Sequence, residues 1–163
     1  MRAAGDRPVR CAVLTVSDTR RGADDLSGAL AERMISRAGH AVAARGWVRD
    51  DRAAIRRAVR ALLLRPDLDA LIVTGGTGAA PRDVTPEALL PLCERVLPGF
   101  GEMFRALSLE QVGTAAWMSR AEAAVAQGRL LVMLPGSRPA VELALERVLL
   151  PELAHVIRTL GRF

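Results

Sequence analysis

The sequence predicts an α/β protein: a single domain of three α/β/α layers built on a mainly parallel sheet. Two observations predict it. Short, nearly continuous apolar runs alternate with longer stretches of helical periodicity, the order of parallel strands joined by crossover helices. Each apolar run also ends in polar or glycine-rich sequence, as strands do when their carboxyl ends form one ligand-binding rim. A chain of 163 residues suits one domain with a substantial core.

Residues 1–10 are expected to form a basic N-terminal extension, and the domain to occupy 11–163. Cys11 to Val16 reads as a first strand covered on both faces, ended by Ser17-Asp18. Leu26, Leu30 and Met34 recur at helical spacing up to Ala38, and Gly39 supplies the stop. Val42, Ala44, Gly46 and Val48 alternate with their neighbours as a second strand, which places Asp50 at its carboxyl end. From Asp51 to Leu64 an apolar stripe of Ile55, Val59, Leu62 and Leu63 faces away from Arg52, Arg56, Arg57 and Arg60. Ala70 to Thr74 is a third strand running into Gly75-Gly76-Thr77-Gly78, and Leu130 to Leu134 a fourth running into Pro135-Gly136-Ser137. Helices are expected at about Pro86 to Cys93 and Phe100 to Gln111, with two more near the C-terminus split by Pro151.

Composition narrows the chemistry. Hydrophobic residues make up 50% but aromatics only 3%, so the core is aliphatic. All 23 basic residues are Arg, and Lys and Asn are absent. This follows the codon usage of a GC-rich genome, and the net charge of +5 is read the same way. Without Lys, a Walker-type phosphate lysine and a Schiff-base lysine are both excluded. Cys11 and Cys93 form no metal-spaced cluster and read as reduced thiols of a cytoplasmic protein. The apolar run after Arg10 is too short for a signal peptide, and no membrane span is expected.

Glycines without Cβ let backbone amides approach an anion, so Gly75, Gly76 and Gly78 suit a phosphate cradle; a plain tight turn reads equally well. Asp83 precedes Thr85-Pro86-Glu87, a helix start, and is either a functional acid or a cap. Asp50 and Asp83 project from the same rim, where two carboxylates suit Mg²⁺. Asp18 and Glu102 are further acids near it, with a capping role open for Asp18. His40 and His155 fall away from the rim and are expected to be structural. A rim without His or Lys points to a reaction needing little proton transfer, such as nucleotidyl transfer onto an anionic phosphate. Ser17, Ser119 and Ser137 have no evident base for nucleophilic catalysis.

At Thr74-Gly75-Gly76-Thr77-Gly78-Ala79-Ala80-Pro81-Arg82-Asp83-Val84-Thr85-Pro86-Glu87-Ala88 the chain resembles the molybdopterin adenylyltransferases of molybdenum-cofactor biosynthesis, the MogA/MoaB type. Supporting matches are Thr15-Val16-Ser17-Asp18, Pro98-Gly99-Phe100-Gly101-Glu102, Ser119-Arg120 and Leu134-Pro135-Gly136-Ser137; the stretch from Phe100 to Ser119 is closer to the MoaB branch. The resemblance implies Mg²⁺-dependent reaction of ATP with molybdopterin, giving adenylylated molybdopterin and pyrophosphate. It implies Asp50 and Asp83 as catalytic, Mg²⁺-binding carboxylates. Gly75, Gly76, Thr77, Gly78, Pro135, Gly136 and Ser137 would hold phosphates, and Ser17, Asp18, Ser119 and Arg120 would line nucleotide or pterin pockets. It further implies a homotrimer or homohexamer, with other molybdenum-cofactor enzymes as possible partners. Arg49 stands where a Pro often precedes the first Asp, and Arg138-Pro139 replaces the more usual Pro or Thr followed by Lys. The alternatives are a molybdopterin-binding protein without transferase activity and, from another class, an Arg-rich nucleic-acid-binding protein suggested by Arg52, Arg56 and Arg60.

Overall fold

Apolar runs with partners on both sides form the middle of the sheet. The computed structural model describes residues 7–163. Six strands, β1 (Arg10–Val16), β2 (Ala41–Val48), β3 (Ala70–Thr74), β4 (Arg95–Leu97), β5 (Glu122–Ala126) and β6 (Arg129–Leu134), form one sheet in the order β2-β1-β3-β6-β5-β4. The four strands expected from sequence are all present and run parallel to one another. The sheet also has two antiparallel strands that were not expected. β5 is Glu-Ala-Ala-Val-Ala, small residues without alternation, and β4 has only three residues. Pairing with β6 makes β5 a strand: Ala126 opposes Arg129 across Gln127-Gly128, both at positive φ, the geometry of a two-residue hairpin turn.

The helices are α1 (Leu26–Arg37), α2 (Arg52–Leu63), α3 (Thr85–Leu89), α4 (Pro98–Val112), α5 (Arg138–Ala144) and α6 (Leu150–Thr159). Asp25 caps α1 by accepting from the Gly28 amide, and Asp51 caps α2 by accepting from the Ala54 amide. Pro151 does not split the C-terminal helical path. A π turn over Leu145–Leu149 joins α5 to α6, with the Leu150 amide bonded to the Leu145 carbonyl. The wider turn leaves room for a ring that lacks an N–H and would crowd a tight helix.

Side chains alternate across the strands and build a core on each face. Cys11, Val13, Ala70, Ile72, Leu130 and Val132 pack toward α1 and the C-terminal helices through Ile35, Leu149, Leu153 and Ile157. Ala12, Leu14, Leu71, Val73, Leu131 and Met133 pack toward α2 and α3 through Ile55, Val59, Leu63 and Leu89. This is the three-layer arrangement read from the sequence. Because β1 leads outward to β2 and the chain then crosses back to β3, the strand order reverses between β1 and β3. A crevice at their carboxyl ends is the expected ligand position.

At the amino ends of the strands, opposite the rim, Asp69, with no exposed surface, gathers Arg7, Arg10 and Arg162. It accepts from Arg7 Nη1 at 2.6 Å, Arg7 Nη2 at 2.8 Å, the Arg10 amide at 2.9 Å and Arg162 Nε at 3.3 Å. Of the extension expected over 1–10, residues 1–6 lie outside the described residues. Residues 7–10 are built into the domain, with Val9 fully buried and Arg10 opening β1. Burial by itself would raise the Asp69 carboxyl, but the hydrogen bonds from Arg7, Arg10 and Arg162 outweigh it and hold the group far below the usual carboxylate range. A depressed carboxylate stabilises the fold above its unfolded range, and that contribution is lost as pH falls below about 4. Asp69→Asn, which leaves guanidinium groups facing an amide, is expected to cost roughly 3 kcal/mol at neutral pH. Urea denaturation across pH 2 to 7 checks both statements: the mutant loses most of the wild-type acid dependence.

Candidate active site

The parallel strands β2, β1, β3 and β6 end at one rim, and the chain leaving each contributes to a cleft of about 290 Å³. Its lining includes Ser17 and Asp18 after β1, Asp50 after β2, Gly75 and Gly76 after β3, Gly136 after β6, and Asp83 beyond the glycine loop. The two carboxylates read from sequence as partners on one rim therefore do share a cavity. Asp18 Oδ1 accepts from the Asp50 amide at 3.0 Å and ties the ends of β1 and β2 together.

Three glycines permit this convergence. A Cβ at Gly75, where φ is +100°, would stand 2.2 Å from the Val16 carbonyl oxygen. At Gly76, φ +70°, it would stand 2.3 Å from Thr85 Oγ1 and 3.4 Å from Asp50 Oδ1. At Gly78 it would stand 2.7 Å from Asp83 Oδ2. The loop thus passes close behind both carboxylates, which any side chain would displace. Asp83 Oδ2 also accepts from the Ala80 amide at 3.0 Å, so its short loop folds over its own carboxylate.

The cleft extends along the rim. A second cavity, about 400 Å³, is lined by Thr77, Gly78, Ala79, Ala80, Asp83, Met118, Ser119 and Pro135. A third, about 470 Å³, runs from Ser119, Pro135 and Ser137 into Phe104, Val112, Ala116 and Ala140. Asp83 is common to the first two, and Ser119 and Pro135 to the last two. One end of the trough is acidic and the other is mostly apolar. Thr74 Oγ1 and Thr77 Oγ1 are buried without a hydrogen-bond partner, at the floor of the first and second cavities.

Other expected site residues hold the scaffold. Ser137 caps α5 and lines the third cavity. The Arg120 guanidinium bonds to Gly78 O at 2.9 Å, to Asp83 O at 2.8 Å and to the Glu87 carboxylate. Glu102 is exposed on α4 and does not line the acidic cleft. His40 is buried, accepting from the Val9 amide, and His155 lies on exposed α6 beside Glu152, both away from the rim as expected.

Sequence reasoning missed Asp25. It is 1% exposed at the base of the cleft and accepts from Thr15 Oγ1 (2.7 Å), the Gly28 amide (2.9 Å), Arg45 Nη2 (3.0 Å) and Trp47 Nε1 (2.9 Å). Burial would raise its carboxyl, but these donors hold it below the ordinary range. An Asp three residues before Gly28 is a readable helix cap; its partners Arg45 and Trp47 on β2 are not readable.

Comparison with known proteins agrees with this fold. A family model described as a probable molybdopterin binding domain matches residues 12–155. The chain belongs to that family. Among its relatives is the molybdenum cofactor biosynthesis protein B of Bacillus subtilis, 49% identical over 155 residues that span 94% of this chain and 91% of that protein. A crystal structure of molybdenum cofactor biosynthesis protein B superimposes with a TM-score of 0.93 at 40% identity, covering 97% and 99% of the two chains. A solved MogA matches at 0.82 and 27% identity, over 93% and 99%. The molybdopterin-binding family fold is therefore shown, with MoaB relatives nearer in sequence than this MogA.

The family cleft concentrates negative charge. Burial first, then the charges of Asp18 and Asp83, push the Asp50 carboxyl above its usual value, with Arg82 offsetting part of the effect. Asp83→Asn removes one like charge and is expected to lower the Asp50 pKa toward its ordinary value. Carbon-detected NMR titration of the Asp50 carboxyl reads the shift; an unmoved or higher value contradicts the proximity of the two acids.

Proposed function

We propose that this chain transfers an adenylyl group from ATP to molybdopterin. The observation that carries the reading is the convergence of Asp50, Asp83 and Asp18 on one cleft bordered by the glycine loop. The terminal phosphate of the pterin attacks the α-phosphorus of ATP; a P–O bond forms there as the bond to the β-phosphate bridge oxygen breaks, and pyrophosphate leaves. The attacking oxygen is already anionic at neutral pH, so no general base is required. The work left to the protein is alignment and charge neutralisation.

The donor set fits Mg²⁺. Burial, and then the negative charges of Asp18 and Asp83, raise the Asp50 carboxyl above its usual value, and a divalent cation would relieve the repulsion part of this. Among the described residues no group of three or more His, Cys, Asp or Glu side chains forms a ready metal cage. That suits Mg²⁺, which keeps waters and takes substrate phosphates beside one or two carboxylates. Asp50 and Asp83 would hold the ion, and when bound it would neutralise polyphosphate charge. Gly75 to Gly78 would border the phosphates; Ser17 and Asp18 line the acidic cleft with Gly75 and Gly76, and Gly136 packs against Gly75. The apolar cavity past Ser119 and Pro135 offers a place for a planar ring.

The same reading includes self-association as a trimer or hexamer. Met103, Leu109, Val112, Trp117 and Met118 on α4 and the segment after it are exposed, Trp117 by 78%, as at protein contact surfaces. A cytoplasmic location is proposed with it; among the described residues no helix is long and apolar enough to cross a membrane.

ATP plus molybdopterin is expected to release pyrophosphate only when Mg²⁺ is supplied. Asp83→Asn should slow a single turnover on the order of a hundredfold. Molybdopterin binding by the wild type with no pyrophosphate formed would instead establish a binding protein.

A further inference from the structure

The glycine loop has all its carbonyls engaged from behind. Thr85 Oγ1 donates to Gly75 O at 2.8 Å and the Thr85 amide to Gly76 O at 3.0 Å. The Arg120 amide donates to Thr77 O at 2.9 Å, and Arg120 Nε to Gly78 O at 2.9 Å. In a planar trans peptide the N–H points opposite to the C=O. Four successive carbonyls drawn toward Thr85 and Arg120 therefore turn the amides of Gly76, Thr77, Gly78 and Ala79 away from those two residues.

Arg120 does more than hold one end of the loop. Its Nη2 donates to Asp83 O at 2.8 Å, so one guanidinium bridges the start and finish of the segment that carries the Asp83 carboxylate. Nη1 is paired with Glu87 on α3, whose carboxyl is held below its usual range chiefly by that hydrogen bond. Arg120 is itself gripped on both sides, because Arg105 Nη1 donates to Ser119 O at 3.3 Å and to Ala121 O at 2.9 Å. A planar fork with donors on several edges can span three acceptors this way; an ammonium cannot.

We propose that Arg120 is a positioning residue of the cleft, a latch that with Glu87 and Thr85 sets the amide direction of the glycine loop and the place of Asp83. This rests on the adenylyl-transfer reading and extends one part of it. The resemblance to adenylyltransferases implies that Arg120 lines a substrate pocket, and Arg120 does border a cavity with Ala79, Asp83 and Glu87; beyond that role, its guanidinium acts through the protein groups it bridges.

The test has two arms. In the absence of substrate, hydrogen exchange is followed in wild type, Arg120→Ala, Arg120→Lys and Glu87→Gln. Each variant is expected to exchange faster over residues 76–83 while β3 stays protected, and dilute guanidinium should restore protection in Arg120→Ala. Unchanged exchange over 76–83 overturns the latch. With ATP, Mg²⁺ and molybdopterin, Arg120→Ala should lose roughly a hundredfold in kcat, the scale of a misplacement near 1 Å. Guanidinium should rescue it, Arg120→Lys should stay slow, and the double variant with Glu87→Gln should be no slower than Arg120→Ala. A rise in KM for ATP with kcat intact makes Arg120 a substrate contact and overturns the proposal. So does a kcat per folded molecule that is unchanged. Wild type that makes no pyrophosphate defeats the adenylyl-transfer reading instead, and the exchange arm still decides the latch.

Discussion

The close passage of the chain behind the ends of β1 and β3 is the constraint on which the cleft depends. The Val16 carbonyl lies where a side chain at Gly75 would begin, and the Gly136 backbone packs against Gly75 from β6's side. Three parallel strands therefore end in near contact, with room for backbone only. That lets Asp18, Asp50 and Asp83 reach one cavity although they leave the sheet from different places. Glycine here provides proximity as much as conformational freedom.

Two buried carboxylates brace the sheet at opposite ends of its strands. Asp25 ties α1 to Thr15 on β1 and to Arg45 and Trp47 on β2, directly below the cleft. Asp69 collects both ends of the described chain at the amino ends. Both stay ionised because several donors meet each, and burial without those donors would favour the neutral acid. Asp50 is the contrast: burial and then the charges of Asp18 and Asp83 raise its carboxyl, with no comparable set of donors among the described residues to offset them. The same residue type thus braces the fold where it is surrounded by donors, and faces like charges where it lines the cleft.

Much of this architecture was legible in the sequence. β1, β3 and β6 are continuous apolar runs because neighbours cover both faces, and such runs can be read without knowing the neighbours. Asp50 and Asp83 could be placed on one rim because parallel strands bring their carboxyl ends together whatever the loop geometry. β5 was not legible: Ala123, Ala124 and Ala126 carry no period, and only pairing with β6 makes them a strand. The continuation of the C-terminal helix past Pro151 was hidden too, because a π turn is a tertiary accommodation that a proline alone does not announce.

By itself the sequence determined the α/β layering, the rim on which the cleft lies, the presence of Asp50 and Asp83 on that rim and, through the block from Thr74 to Ala88, the family. These are properties of local periodicity and of contiguous residues. Only the tertiary structure decided which acids are braced and which repel, that Asp25 underlies the cleft, and that Arg120 faces carbonyls of the protein. Each of those depends on donors from other elements, such as Arg45 and Trp47 to Asp25 or Arg120 to Gly78 and Asp83. Hydrogen bonds of 3 Å between residues distant in sequence are settled by how the elements pack, and such polar contacts, unlike the apolar faces, leave no periodic trace in the chain.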